Sequence, residues 1–133
     1  MIVKFNGTWE AVKENSTWHL ECVPFGGGNT FSSKVINSNG ETIYELRGFF
    51  GLSQDGQTVV SHWINTNGGI TSWYGKFVSE SKLILDGYND NSGIPLVKQE
   101  IEFLSGSFTL RQSIRNADLA WTERENYTFK KLK

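Results

Sequence analysis

The sequence predicts an all-β fold: an antiparallel up-and-down β-barrel of about eight to ten strands, with little or no helix. Three observations carry this. No run of apolar residues keeps a helical period for three turns, and period-two alternation recurs in short runs instead. Turn dipeptides separate the runs at even spacing: Asn39-Gly40, Asp55-Gly56, Asn67-Gly68 and Ser105-Gly106. Composition agrees, since 14% aromatics and 14 glycines against 2 prolines suit strands joined by tight glycine turns.

Taken in order, the first strand is expected over 7–14, opening on Phe5-Asn6-Gly7-Thr8-Trp9, and the second over 17–25. Gly26-Gly27-Gly28 lacks the strand-loop-helix setting of a phosphate loop and reads as a flexible connection to a strand over 29–38. Strands follow over 41–52, 57–66, 70–79 and 82–89, then over 96–104, 107–115 and 119–131. No linker, repeat or low-complexity tract interrupts them, so residues 1–133 are expected to form one β-barrel domain, a length that can bury a real core.

A hairpin loop fixes register, and register decides which side chains share a face. A two-residue Asn39-Gly40 loop sets Lys34 opposite Glu45 and Ser32 opposite Arg47, leaving Phe31, Val35, Tyr44, Leu46 and Phe50 on the other face. A two-residue Ser105-Gly106 loop sets Glu100 opposite Arg111 outside. Inside, Val97, Ile101, Phe103, Phe108, Leu110 and Ile114 are interrupted by Gln99 opposite Gln112. For Asn67-Gly68, a two-residue loop puts Val60, His62, Ile64, Trp73 and Phe77 on one face, and Val59, Trp63, Ile70, Tyr74 and Lys76 on the other. The uncharged face is expected inward, because an unpaired inward lysine costs several kcal/mol. That choice needs a three-residue Gln54-Asp55-Gly56 loop; a two-residue one reverses it.

In the last strand, Trp121, Glu123, Glu125, Tyr127 and Phe129 alternate with polar residues, so the aromatic face is expected inward with both carboxylates. The same reading sets Glu123 near Gln112. A two-residue Glu80-Ser81 loop brings Asp86 and Tyr88 to the face of His62 and Trp73. An apolar interior interrupted by Gln99, Gln112, Glu123 and Glu125 suits a ligand- or water-filled cavity, since unpaired buried polar groups cost on the order of a few kcal/mol each. The expected ligand-binding residues are Tyr44, His62, Trp73, Tyr88, Gln99, Gln112, Glu123, Glu125 and Tyr127. The plainer alternative seats the glutamates at a solvated rim, makes His62 a structural imidazole and leaves Trp63 and Trp73 as core.

Charge is balanced at 13 basic against 14 acidic residues, which argues against a nucleic-acid groove or a polybasic membrane surface. Cys22 reads as a small core residue rather than a nucleophile, and the only two histidines, His19 and His62, lack metal-ligand spacing. Neither a metal nor a cofactor is expected. Without a signal-peptide pattern or a run able to span a bilayer, a soluble cytoplasmic protein is the expectation. The sequons at Asn6, Asn15 and Asn126 would matter only after secretion.

Phe5-Asn6-Gly7-Thr8-Trp9 resembles the Gly-x-Trp start of the lipocalin and fatty-acid-binding-protein (calycin) superfamily of barrels, and Arg124-Glu125-Asn126-Tyr127-Thr128-Phe129-Lys130 is similar to their closing strand. The stretches 60–68, 75–77 and 83–87 resemble a bacterial lipocalin-like domain family of unknown function. The resemblance implies a barrel with an internal ligand site, Trp9 plugging its floor, and a cation such as Arg124 outside the seam. Fatty-acid-binding proteins place Arg-x-Tyr on the last strand, whereas this chain has Glu125-x-Tyr127 with Arg124 at the opposite parity. The stretch after the first strand also lacks the pattern of their two-helix lid. A neutral or cationic ligand is therefore expected rather than a fatty acid. Haem binding of the nitrobindin type would need a histidine near the C-terminus, and there is none.

Three functions compete at this level. The first is a binding barrel for a small, partly apolar ligand, anchored by Glu125, Tyr127, Gln99 and Gln112. The second is an isomerase, cyclase or hydrolase with His62 and Asp86, or Glu123 and Glu125, as acid and base. The third is a non-catalytic homodimer formed through an outer patch of Trp63, Ile70 and Tyr74.

Overall fold

The structure is a computed structural model describing residues 2–89 and 93–132, apart from the side chains of Ile2, Val3 and Arg124. A short 3-10 turn, Ile2–Phe5, leads into ten strands: β1 (Gly7–Lys13), β2 (Ser16–Phe25), β3 (Gly28–Asn37), β4 (Thr42–Leu52) and β5 (Val59–Asn65), then β6 (Ile70–Phe77), β7 (Lys82–Asn89), β8 (Val97–Leu104), β9 (Ser107–Arg115) and β10 (Trp121–Lys131). Each pairs antiparallel with its neighbour in sequence, and β1 pairs with β10, so the sheet closes into a barrel without a free edge. All ten expected strands are present, with ends moved by at most two residues.

Gly7 has a φ of 127°, a conformation that side chains rarely adopt, and this turns the chain so that Phe5 enters the barrel end. Phe5 stacks on Phe50 at 4.8 Å and meets Phe103 and Phe108 edge-on. Trp9 is 3% exposed, and its indole N–H donates to the Phe5 carbonyl at 2.8 Å. Trp9 and Phe5 together close the floor, and Lys131 Nζ lies 5.6 Å from the Trp9 ring. The Arg124 side chain, expected outside this seam, lies outside the described residues. At the other end, Lys13 pairs with Ser16 across a two-residue turn, so no helical lid separates β1 from β2.

Two hairpins have the expected faces. In β8–β9, Gln99 pairs with Gln112 and Glu100 with Arg111. In β3–β4, Ser32 pairs with Arg47, Lys34 with Glu45 and Val35 with Tyr44. The β3–β4 turn itself has a three-residue loop, since Asn37 N–H bonds to the Glu41 carbonyl, and a bulge next to Val35 restores the register.

Four expectations about faces are corrected. In β5–β6, Asn65 N–H bonds to the Gly69 carbonyl, which makes a three-residue loop and pairs Trp63 with Thr71 and Ser61 with Trp73. That one-residue change combines Trp63 with Trp73 on one face and His62 with Tyr74 on the other. The β4–β5 loop is closed by Ser53 N–H to the Thr58 carbonyl. It retains the parity of a two-residue turn, so Val59, Ser61 and Trp63 face inward and Val60, His62 and Ile64 outward. In β6–β7, Val78 N–H bonds to the Lys82 carbonyl across another three-residue loop, pairing Asp86 with Tyr74 and Tyr88 with Ser72 on the outer face. In β10, a bulge at Arg124 pairs Glu123 with Ser113 but Glu125 with Gln112, so the two glutamates point to opposite sides.

Candidate functional site

The barrel holds two stacked spaces. The upper, of about 340 Å³, opens at the mouth and is walled by Trp18, Val35, Leu46, Trp63, Trp73 and Val97, with Tyr44, Asn65, Thr71, Gln112, Glu125 and Tyr127 supplying polar groups. Lys13 and Ser16 sit at its rim. The lower space, about 40 Å³, is lined by Phe5, Phe31, Phe50, Ile101, Phe108 and other apolar groups, with Ser33 and Gln99 as its polar members. Trp18, Leu46 and Trp63 border both and form a waist.

Backbone geometry explains each polar placement. The bulge at Arg124 returns Glu125 and Tyr127 to the inner face, where the Tyr127 hydroxyl donates to Glu125 Oε2 at 2.9 Å. Burial, reinforced by the hydrogen bond and charge of Glu125, pushes the Tyr127 phenol up to about 12. Lys13 donates its ammonium to the Asn126 carbonyl and lies 4.6 Å from the centre of the Tyr127 ring. Asn65 accepts from the Asn67 and Gly69 N–H groups, which fixes its side chain at the mouth; burial pushes the Tyr44 phenol up, while a hydrogen bond with Asn65 acts the other way. Gln99 Nε2 donates to Gln112 Oε1 at 3.0 Å and ties the lower space to the upper.

The structure therefore brings together six of the nine expected ligand-binding residues: Tyr44, Trp73, Gln112, Glu125 and Tyr127 in the upper space, with Gln99 beneath Gln112. The other three lie outside. His62 meets the Ser72 hydroxyl at 2.9 Å and packs beside Phe49 and Tyr74. Tyr88 packs on Tyr74 with ring centres 5.9 Å apart. Glu123 makes a 3.2 Å ion pair with Arg111, which with their hydrogen bonds holds its carboxyl below the usual range. His62 and Asp86 thus share a face, but it is the solvent side of the barrel, and Glu123 and Glu125 cannot face one substrate. Of the proposed acid–base groups, Glu125 alone lines the cavity.

The expected dimer patch also divides, with Trp63 inside and Ile70 and Tyr74 exposed. Cys22 is buried, and burial pushes its thiol up to about 12, as suits a core residue. His19 pairs with Glu10 on the outer face. Among the described residues, no cluster of His, Cys, Asp and Glu could hold a metal ion, and no helix is long and apolar enough to cross a membrane.

Lys13, Trp18, Trp63 and Asn65 belong to the cavity wall although they were not expected there. Asn65 was findable: Asn-x-Asn-Gly places an amide oxygen within reach of two turn N–H groups, which signals a three-residue loop.

No family model and no curated protein sequence matches the chain. Among solved structures, the crystal structure of Rv2717c from M. tuberculosis is similar with a TM-score of 0.77, covering 98% of this chain and 94% of that one at 8% identity. At that identity the likeness is one of fold. It agrees with a closed antiparallel β-barrel and carries no ligand across.

Proposed function

We propose that this barrel binds a small, partly apolar molecule that is neutral or cationic. The carrying observation is the contrast within one lumen: Glu125, Tyr127, Gln112, Tyr44 and Asn65 surround an open space of about 340 Å³ above an aromatic floor. Pockets of this size with a few convergent polar groups are usual for small-molecule sites. Glu125 is the carboxylate next to the space, while the Lys13 ammonium sits at the rim against the Asn126 carbonyl and the Tyr127 ring. A fatty acid would place its carboxylate against Glu125, an unfavourable pairing.

The test is fluorescence titration with three dyes of similar size, cationic, neutral and anionic, alongside native mass spectrometry of the purified protein. Cationic and neutral dyes are expected to bind, the anionic one more weakly, and Glu125→Gln should abolish the preference for the cation. An interior that admits none of the three dyes and retains no small molecule would end this reading.

A further inference from the structure

Four inner tryptophans line the floor, waist and walls, and three have hydrogen-bond acceptors: Trp9 on the Phe5 carbonyl, Trp18 on the Ser33 hydroxyl and Trp63 on the Ser61 hydroxyl. Trp73 differs. It is 2% exposed, and its Nε1 is sealed from solvent with no acceptor among the described residues. Its benzo edge is pinned on β7, where a Cβ at Gly87 would lie 2.7 Å from Cζ3, so the Nε1 edge is turned the other way. Gln99, 1% exposed, has a similar gap: Nε2 bonds to Gln112 while Oε1 has no partner. Rotating both carboxamides exchanges the roles but still leaves one Gln99 amide atom unpaired. Trp73 lines the upper space and Gln99 the lower, on strands separated only by β7.

Leaving a buried donor and a buried acceptor unpaired costs free energy, and a bound molecule that pairs both recovers it. The geometry points to a ligand that is planar and neutral at its buried end and carries on one ring frame a carbonyl-type acceptor for Trp73 Nε1–H and a hydroxyl for the Gln99 amide. A hydroxyl suits either orientation of that amide, because it both donates and accepts. Flat rings match the aromatic waist of Trp18 and Trp63, and a bicyclic molecule is of a size for the upper space. This assignment rests on the binding function proposed above and narrows it to a chemical class.

7-Hydroxycoumarin tests it, titrated at pH 6 where its hydroxyl is neutral. Three analogues serve as controls: 7-methoxycoumarin lacks the donor, 2-naphthol lacks the carbonyl, and naphthalene lacks both. We expect 7-hydroxycoumarin to bind about tenfold more tightly than either single-deletion analogue. Trp73→Phe should erase the advantage over 2-naphthol, and Gln99→Leu the advantage over 7-methoxycoumarin. The ligand-side comparison needs no variant and so stands even if a substitution impairs folding. Equal binding of all four compounds would overturn the assignment while leaving a binding cavity. Binding of none of them overturns it too, and the three-dye titration then decides separately whether the cavity binds anything.

Discussion

The Tyr127 hydroxyl donates a 2.9 Å hydrogen bond to Glu125 Oε2, joining the phenol and the carboxylate on the inner face of the last strand. Burial and that bond raise the phenol to about 12 in the folded protein, against an ordinary value of 10.0. A raised pKa stabilises the protonated, folded form. The contribution is fully present below the unfolded value and is lost as pH rises through the folded one. Stability is therefore expected to fall between about pH 10 and 12. Denaturant melts of wild type and Tyr127→Phe over that window check this: the variant should show a shallower decline, with the slope from the Cys22 thiol remaining.

Glu123 and Glu125 are two residues apart and do opposite things, because the bulge at Arg124 turns one outward to Arg111 and the other inward. Glu123→Gln is expected to leave dye binding unchanged, whereas Glu125→Gln changes it. The Glu123 carboxyl is held below its ordinary 4.5 by Arg111, so its contribution is present above that value and is lost as pH falls. Acid titration of stability should show Glu123→Gln losing part of the dependence below pH 4.5. If Glu123→Gln altered dye binding as much as Glu125→Gln, the bulge would be misplaced.

The strands and the closed barrel were legible because alternation acts locally and recurs in ten strands, with turn dipeptides marking four of the breaks. What escaped was loop length, on which all facing depends. Asn37, Asn65 and Asn116 each accept from the N–H groups two and four residues on, and each stabilises a three-residue loop; at the first two, Asn-Gly alone suggested two residues. For β3–β4 a bulge cancelled the difference. For β5–β6 nothing did, and Trp63 and His62 exchanged sides. The argument against an inward lysine was sound: Lys76 does lie outside, but the three-residue loop sets it on the face opposite Trp63. Glu123 was misplaced by the bulge at Arg124, which no turn motif announces. Within the candidate site, Gln99 and Gln112 were legible because the two-residue Ser105-Gly106 turn was right.

The third such turn, Asn116-Ala117-Asp118-Leu119-Ala120, has leucine where the other two have glycine, and Leu119 adopts a φ of 63°. A leucine in that region carries a penalty of roughly 1 kcal/mol, and its side chain is exposed, so little packing offsets it. Leu119→Gly is expected to raise stability by about 0.5–1 kcal/mol, measured by chemical denaturation. A loss instead would mean that the exposed leucine makes a contact worth more than the strain.

Gly87 and Trp73 test the packing that shapes the upper space. A methyl group at Gly87 would come within 2.9 Å of three ring atoms of Trp73, which is otherwise held between Gly87 and Trp63. Gly87→Ala is therefore expected to destabilise by about 1–3 kcal/mol, the usual range for overpacking a filled core. The cost arises from one ring, so it should shrink when the ring is removed: Trp73→Leu with Gly87→Ala should lose less than the sum of the two single changes. A double-mutant cycle from denaturant midpoints measures that coupling, with about 1 kcal/mol expected in the compensating direction. Additive losses would mean that the alanine strains the β6–β7 backbone, where the same comparison for Gly75 puts a Cβ against the Ile84 carbonyl.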